Sequence, residues 1–408
     1  MRKPYVFSRE RLHVQSHLGL SGFATYPNSV MQSFAKRLIN WQRTHGRHDL
    51  PWQGQDAYRV WLSEIMLQQT QVATVIPYYQ RFVASFPDIG ALAAATEDQV
   101  LAHWSGLGYY ARGRNLHRAA LIIVEKFNSE FPRKFEDIVE LPGIGRSTAA
   151  AVCALAYHEC RAILDGNVKR VLARYCGIEG WAGEKKVEEK LWQRAEALLP
   201  QSDVAAYTQG LMDMGATVCT RGRPRCAACP VQDDCVALQT ERIAELPAPR
   251  PKKVVPERHA TFLLLMHGND ILLEKRPGSG IWGGLWCPPQ FDDEASAWDW
   301  CAQRGIAPAQ IGAAAGSVQG IPGVAARGRS DSPSGSISHY ERVDGSCETL
   351  PTFAHTFTHF KLHIAPVLLR LVRKPRRVQQ SGSVWLDVED AMQAAIPAPV
   401  RSLFKNFI

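Results

Sequence analysis

Four cysteine thiols lie close together near the middle of the chain, in the pattern Cys-x6-Cys-x2-Cys-x5-Cys formed by Cys219, Cys226, Cys229 and Cys235. Two thiols separated by two residues can bind one metal centre from a single turn of backbone, and the flanking thiols complete the ligand set. Thiolates are preferred ligands of both zinc and iron–sulfur clusters. The pattern therefore predicts a metal centre, and ligand type alone leaves both a structural zinc and a cluster open.

Two carboxylates are candidates for acid–base chemistry. Glu64 lies among apolar residues such as Trp61 and Ile65. A glutamate in such a helix commonly faces solvent, but in an apolar pocket its pKa rises, which suits a general acid. Asp165 precedes a stretch with helical periodicity. The sequence predicts a helix N-cap there, where a carboxylate is ionised and held in a fixed direction.

A glycine-containing turn precedes a helix of small residues in the run Leu-Pro-Gly-Ile-Gly-Arg-Ser-Thr-Ala-Ala-Ala. Gly143 and Gly145 permit a tight turn, and the unpaired amides at the start of the following helix can bind a phosphate. The alternative is an ordinary turn between two helices, because a single Gly-x-Gly is a weak signal. The sequence predicts a helix-hairpin-helix at about residues 138–152.

In chain order, this hairpin, the segment around Asp165 and the four cysteines resemble the endonuclease III superfamily of DNA repair glycosylases. The run Ser-Glu-Ile-Met-Leu-Gln-Gln that contains Glu64 is similar to the adenine DNA glycosylases of the MutY type. The resemblance covers about residues 31–408. It implies that Glu64 protonates adenine, that Asp165 stabilises an oxocarbenium-like sugar, and that Asn167 supports Asp165 by hydrogen bonding.

The implied reaction is monofunctional base excision on double-stranded DNA, with adenine opposite 8-oxoguanine or guanine flipped out of the helix. Bifunctional relatives carry a lysine nucleophile where this chain has Ser147. A hydroxyl group cannot form a Schiff base, so hydrolysis by water is expected. Some adenine glycosylases have a tyrosine at this position, and the sequence does not show what replaces its contacts.

The resemblance assigns the four cysteines to one 4Fe–4S cluster rather than to zinc. Gln69 matches a residue that wedges into the duplex, Tyr109 matches an intercalating ring, and Gly143 and Gly145 belong to the phosphate-binding hairpin. Three arginines between the first two cysteines are expected to reach DNA phosphates: Arg221, Arg223 and Arg225.

Residues 257–408 resemble the Nudix-like C-terminal domain of the same family, which reads 8-oxoguanine. Phe357, Thr358 and His359 match the Phe-Ser-His loop of that domain, and threonine keeps the hydroxyl group of serine. The acidic residues of a Nudix hydrolase are missing, because four other residues stand in their places: Gln290, Trp298, Ala302 and Gln303. A recognition role is therefore expected instead of metal-dependent pyrophosphatase chemistry.

The elements that position these residues divide the chain into two parts. Helical periodicity extends over residues 31–245, residues 246–256 form a proline-rich linker, and short apolar runs begin at residue 257. The expected fold is an α-helical helix-hairpin-helix core with an iron–sulfur module, followed by an α+β Nudix-like domain. Residues 1–30 are expected to be a disordered extension, and the Gly/Ser-rich residues 316–350 a mobile loop.

The bulk composition agrees with a nucleic-acid enzyme. The chain has 408 residues and a net charge of +8, which favours a polyanionic partner. Ten cysteines in a chain without a secretion signal indicate a reducing compartment, and the expected protein is a cytoplasmic monomer without a membrane segment. The alternatives are an endonuclease III-like enzyme for oxidised pyrimidines and a non-catalytic iron–sulfur DNA-binding protein. Ser147 argues against the first, and the Glu64–Asp165 pair against the second.

Overall fold

The structure is a computed structural model that describes residues 28–252, 254–306, 345–375 and 382–407. The predicted extension at residues 1–30 lies largely outside the described residues, although residues 28–30 already belong to the first helix. Most of the predicted loop at residues 316–350 also lies outside them. Residues 345–349 correct that prediction, because they form a strand whose backbone pairs with a central strand of the sheet.

The part of the chain before the linker is helical. Its α-helices are α1 Asn28–His45, α2 Ala57–Leu67, α3 Val72–Ser85, α4 Ile89–Ala94, α5 Glu97–Trp104, α6 Ala111–Phe127, α7 Phe135–Val139, α8 Arg146–Tyr157, α9 Gly166–Tyr175, α10 Lys185–Ala197, α11 Val204–Thr217 and α12 Val236–Gln239.

Two apolar clusters organise these helices. In α1, Phe34 and Leu38 are spaced by one helical turn and are fully buried against α9 and α11. The other cluster surrounds Trp61 and Trp104 and contains residues of α2 to α6 and of α8. Because α8 and α9 begin at the hairpin and at Asp165, the packing of these two helices fixes the positions of both candidate motifs.

The described residues of the C-terminal part form a mixed sheet and three helices. The strands are β1 Glu257–His267, β2 Asp270–Lys275, β3 Trp286–Cys287, β4 Gln290–Phe291, β5 Gly345–Thr349, β6 Phe353–Thr356, β7 Lys361–Leu371 and β8 Ser383–Asp387, and the helices are α13 Glu294–Gln303, α14 Val388–Gln393 and α15 Ala398–Phe404.

The centre of the sheet is the parallel pair of β1 and β7, which runs from Glu257 opposite Lys361 to Met266 opposite Arg370. Strands β1 and β2 form an antiparallel β-hairpin, with His267 opposite Asp270. Strand β2 continues the sheet towards β3 and β8, and β5 and β6 pair with β7. The architecture agrees with the predicted α+β domain.

The linker is packed against the helical part at its beginning. The carbonyl of Leu246 accepts a hydrogen bond from Arg174 at 2.9 Å, and Leu246 is buried. The backbone N–H of Ala248 donates to the carbonyl of Gly180 at 3.1 Å. The proline-rich segment is therefore anchored up to residue 248, which the sequence did not predict.

The two parts share one apolar core. The cluster around Trp61 continues into Phe262, Leu285 and Phe404 of the C-terminal part. Polar contacts cross the same junction: Ser105 donates to the carbonyl of Ile396 at 2.7 Å, and other bonds join Arg401 to Ser105 and Lys275 to Asp98. Within the described ranges, no helix has the length and apolar character that a membrane span requires.

Candidate active site

Glu64 lies in the middle of α2, which begins at the N-cap Asp56. The neighbours Trp61, Leu62 and Ile65 are buried in the core, and Glu64 beside them is partly buried. Burial raises the pKa of Glu64 to about 8, and the nearby negative charge of Asp165 contributes in the same direction. Both carboxyl groups, distant in sequence, are therefore brought together as predicted, and Glu64 keeps its proton at neutral pH.

Asp165 is the N-cap of α9, as the sequence predicts, and its carboxylate accepts a hydrogen bond from the N–H of Val168 at 2.7 Å. Burial raises the pKa of Asp165, while the N–H groups of Val168 and Asn167 and the charge of Arg170 oppose this rise. The partners of Asp165 stabilise its charged form, whereas both influences on Glu64 raise its pKa. We therefore assign the negative charge of the pair to Asp165.

Asn167 hydrogen-bonds to Asp165 through its backbone and to Arg170 through its side chain. The side-chain oxygen of Asn167 accepts from Arg170 at 2.8 Å. Arg170 also donates to the carbonyl of Gly215 and, through Nε, to the carbonyl of Cys219, each at 2.8 Å. The helix that Asp165 caps is thus hydrogen-bonded directly to the start of the cysteine segment.

Ser147 lies in the first turn of α8 and faces the chain segment that leads to Asp165. Its hydroxyl oxygen accepts a hydrogen bond from the N–H of Leu164 at 2.9 Å. The sequence left open which contact occupies the position of the lysine or tyrosine of related enzymes. In this chain, Ser147 joins the hairpin helix to the residue immediately before Asp165.

The predicted helix-hairpin-helix consists of α7, a turn and α8. Gly143 has φ +81°, and a Cβ atom there would lie 2.8 Å from Cβ of Asn115, so both the backbone conformation and the space require glycine. Gly145 is the N-cap of α8, is exposed, and has open space around its Cα. The first amides of α8 therefore face outward, in the arrangement that binds an anion.

A cavity of about 810 Å³ is lined by residues of both the helical part and the C-terminal part. Gln69 and Tyr109 line it from one side, and Phe357, Thr358 and His359 line it from the other. Gln69 has φ +58° and Tyr109 φ +48°, in the left-handed region that non-glycine residues seldom adopt. The structure thus brings the predicted wedge residues and the predicted reading residues to one cavity.

All four cysteines lie in the segment after α11 and line one small pocket together with Val218 and Ile243. None forms a disulfide. Arg174 of α9 donates to Sγ of Cys219 at 3.4 Å and to the carbonyl of Thr220 at 2.8 Å. Over the described ranges of the chain, no three metal-ligating side chains converge closely enough to hold a single ion.

The three arginines between the first two cysteines are exposed: Arg221, Arg223 and Arg225. Arg225 donates through its guanidinium to the carbonyl of Thr217 at 2.7 Å, which directs its side chain back along α11. The loop between Cys219 and Cys226 is therefore a basic surface beside the cysteine pocket.

Residues 62–197 match the family described as HhH-GPD superfamily base excision DNA repair protein, and residues 260–320 match the NUDIX domain. The adenine DNA glycosylase of Buchnera aphidicola from Acyrthosiphon pisum is 36% identical over 92% of this chain and 97% of its own length. The human adenine DNA glycosylase is 31% identical over 92% of this chain and 74% of its own length. The chain belongs to the adenine DNA glycosylase family.

Among solved structures, a thermostable thymine-DNA glycosylase is similar, with 26% identity, a TM-score of 0.47, and coverage of 52% of this chain and 98% of that chain.

As a member of this family, the chain combines a helix-hairpin-helix core with a Nudix-like domain, which confirms these two parts of the predicted fold class. Helix α13 carries three of the four residues that the resemblance places at acidic positions of a Nudix hydrolase: Trp298, Ala302 and Gln303. Ala302 and Gln303 occupy its exposed last turn, and Trp298 bonds through its indole N–H to Glu294 at 3.1 Å. The positions at which carboxylates would bind magnesium therefore carry neutral side chains.

Arg112 is a site residue of this adenine glycosylase that sequence reasoning missed. Its buried guanidinium donates to the carbonyls of Ile65, Met66 and Gln68 at the end of α2. It also bonds to Oγ1 of Thr70 and to the carbonyls of Leu107 and Gly108. Burial lowers the pKa of Arg112 to about 10, which leaves it charged at neutral pH. Arg112 therefore holds together the two loops that carry Gln69 and Tyr109.

Proposed function

We propose that this protein hydrolyses the N-glycosidic bond of adenine mispaired with 8-oxoguanine or guanine in double-stranded DNA, without cutting the strand. The observation that carries the proposal is the pair formed by Glu64 and Asp165. The raised pKa of Glu64, about 8, provides a proton donor at neutral pH, and the adjacent Asp165 provides an anion. This division of roles between two carboxyl groups is the one that glycosidic bond cleavage needs.

In the proposed reaction, Glu64 donates its proton to N7 of a flipped adenine. The bond between C1′ and N9 then breaks, its electron pair leaves with adenine, and positive charge develops on the sugar. Asp165, fixed by the first amides of α9, stabilises that charge. Water adds to C1′ and releases a proton to the carboxylate of Glu64, which restores the acid. Ser147 provides no amine, so the product is an intact abasic site.

Base flipping leaves a gap in the duplex that side chains must fill. We assign this task to Gln69 and Tyr109, because both protrude from loops next to the cavity and Tyr109 is 46% exposed. The outward amides after Gly143 and Gly145 would bind a phosphate, and the exposed arginines after Cys219 would bind another stretch of backbone. In this proposal, double-stranded DNA lies along the cavity mouth.

The base opposite adenine would be read by Phe357, Thr358 and His359. Thr358 and His359 are exposed and lie across the cavity from Gln69 and Tyr109. The Thr358 hydroxyl can donate to or accept from a lesion, and Phe357 offers a flat apolar surface for the base. This arrangement supports the preference for 8-oxoguanine.

The four cysteines are proposed to hold one 4Fe–4S cluster. They share a pocket, no disulfide uses them, and Arg174 points a guanidinium at the Cys219 sulfur, which suits an anionic thiolate ligand. A single zinc would need all its thiolates at about 2.3 Å, whereas a larger cluster accepts sulfurs that lie further apart. When bound, the cluster would crosslink the loop after α11. Purified protein should be brown with about four irons, and one zinc without iron would overturn this assignment.

One experiment tests the reaction. The protein is incubated with duplexes that contain adenine opposite 8-oxoguanine, adenine opposite thymine, or thymine glycol, and strand breaks are scored with and without alkali. Alkali-dependent breaks at the adenine opposite 8-oxoguanine alone are expected. Breaks at thymine glycol without alkali would favour the endonuclease III-like alternative, and binding without any product would favour a non-catalytic protein.

A further inference from the structure

A loop of the C-terminal part carries a tryptophan, Trp282, that belongs to none of the residue sets described so far. Trp282 lies between β2 and β3, lines the cavity, and is only 6% exposed although it belongs to a loop. Its φ is +52°, and the nearby Gly280 and Gly284 have φ +85° and +76°. A bulky residue in this conformation is strained, so the surrounding contacts must hold it there.

The contacts of Trp282 lead directly to the residues proposed to read the opposite base. Its ring centroid lies 5.5 Å from that of Phe357, 5.8 Å from that of His355 and 6.1 Å from that of Phe262. Phe357 in turn stacks on Phe360 at 4.6 Å. Trp282 and Phe360 therefore contact Phe357 from the core side, so that the exposed Thr358 and His359 extend from a packed base.

The same loop is bonded to the helical part. Arg114 of α6 donates a hydrogen bond to the carbonyl of Gly283, the residue next to Trp282. Arg114 lies a little over one helical turn after Tyr109 and Tyr110, and it also lines the cavity. The Trp282 loop thus contacts the Phe357 loop through its side chain and the helix after Tyr109 through its backbone.

We propose that Trp282 is a positioning residue that sets the selectivity for the base opposite adenine. It holds the Phe357–His359 loop at a fixed distance from the Gln69 and Tyr109 loops, so a base pair of defined shape fits between them. This inference rests on the proposed function, because it assumes that the cavity receives the mispair. It assigns Trp282 no contact with the reacting atoms, which lie at Glu64 and Asp165.

The test compares Trp282→Ala with Trp282→Phe in the full-length protein, with excess enzyme in single-turnover excision. Both variants are assayed on adenine opposite 8-oxoguanine and on adenine opposite guanine. For Trp282→Ala, the rate on the 8-oxoguanine duplex should fall about tenfold and the rate on the guanine duplex about twofold, because an aromatic pair contributes about 0.5–1.5 kcal/mol beyond burial. Trp282→Phe should restore most of the selectivity, since it keeps an aromatic contact with Phe357.

Trp300→Ala is the matched control, because Trp300 packs on Phe291 at the opposite face of the same sheet. Trp300→Ala also removes a tryptophan side chain, and it should leave the ratio of the two excision rates unchanged. Arg114→Ala tests the same inference without altering the aromatic cluster and should also lower the ratio, which keeps the proposal testable if Trp282→Ala does not fold. Equal loss on both duplexes by Trp282→Ala, or by Arg114→Ala if Trp282→Ala does not fold, would overturn the positioning role. A wild-type protein without activity on either duplex would instead overturn the proposed function.

Discussion

At the scale of single residues, the site depends on one carboxyl group that stays protonated and one that stays charged. Glu64 and Asp165 have the same functional group, and their surroundings separate their roles. Asp165 receives backbone N–H groups at a helix start, whereas burial and the nearby Asp165 both raise the pKa of Glu64. In the mechanism we propose, Glu64 therefore supplies an acid and Asp165 an anion at neutral pH.

Replacing Glu64 with glutamine should abolish adenine excision while leaving duplex binding nearly unchanged. The amide preserves the shape but has no proton to donate, so the single-turnover rate should fall by at least the ~10²–10⁴-fold typical of general acids. In the wild type, the rate should decline as pH rises through about 8, where Glu64 loses its proton. Glu125→Gln, on the exposed face of α6, is the matched control. Near-normal excision by Glu64→Gln would remove Glu64 from its proposed role.

The same substitution should raise the stability of the protein at alkaline pH. An unfolded glutamate releases its proton above its ordinary pKa of 4.5, but folded Glu64 keeps its proton up to about 8. Between these values the folded state binds more protons, so its stability falls as pH rises. Glu64→Gln removes this dependence and should exceed the wild type by at least about 1 kcal/mol at pH 8. Urea unfolding at pH 5 and pH 8 measures the difference, and a gap that is constant with pH would contradict the prediction.

Sequence reasoning found the residues whose function depends on local pattern. The structure places Gly143 in the predicted turn and Asp165 at the predicted helix N-cap, and the four cysteines line one pocket. The sequence did not indicate a role for Arg112, because an arginine in a Tyr-Ala-Arg-Gly-Arg run is expected to face solvent. Its role depends on α2 and α6 meeting in space, about 45 residues apart in the chain, and no local spacing encodes that contact.

At the scale of elements, the ends of helices supply most of the functional geometry. The end of α2 leads to Gln69, the start of α6 follows Tyr109, the start of α8 presents the hairpin amides, and α9 begins at Asp165. A helix end leaves unpaired backbone groups that need partners. Here those groups meet a buried guanidinium, a carboxylate or, as we propose, a DNA phosphate, so each helix end performs a distinct task.

Arg112→Lys should disrupt the two loops beside the cavity. An ammonium group cannot reach the carbonyls of both α2 and the Gly106–Tyr110 turn, so several buried acceptors lose their donor. We expect a loss of about 3 kcal/mol in unfolding free energy and weaker binding to mispaired duplex. Arg118→Lys, an exposed arginine on the same helix, should leave both unchanged. Unfolding and binding curves that match the wild type would show that Arg112 does not hold these loops.

At the scale of the whole molecule, the two parts are not independent modules joined by a tether. One apolar core extends from Trp61 to Phe404, and Ser105 bonds to both Ile396 and Arg401. The sequence shift at the linker correctly suggested two folds, but it carried no information on the contacts between them. Such contacts depend on matched surfaces whose residues are scattered along the chain.

Deletion of residues 257–408 should lower the yield of folded protein and weaken the selection of 8-oxoguanine over guanine. The truncated protein would expose the apolar surface that Phe262 and Leu285 now cover. Glu64, Asp165 and the hairpin remain, so each folded molecule should still excise adenine opposite guanine. Active-site titration and single-turnover rates separate these effects, and Thr358→Ala provides the matched full-length comparison. Equal weakening on both mispairs at several salt concentrations would leave the C-terminal part as a general DNA clamp.

The anchored start of the linker limits how far the two parts can separate. Ala248 is bonded to the helical part, and the carbonyl of Pro256 is bonded to β7, so seven residues connect the two bonded points. A fully extended chain of this length spans at most about 25 Å. If the interface opens to admit a duplex, the C-terminal part stays at an effective concentration on the order of millimolar around its own partner surface. Closure is then an intramolecular event whose rate does not depend on enzyme concentration, and exchange of the C-terminal part between two molecules is disfavoured.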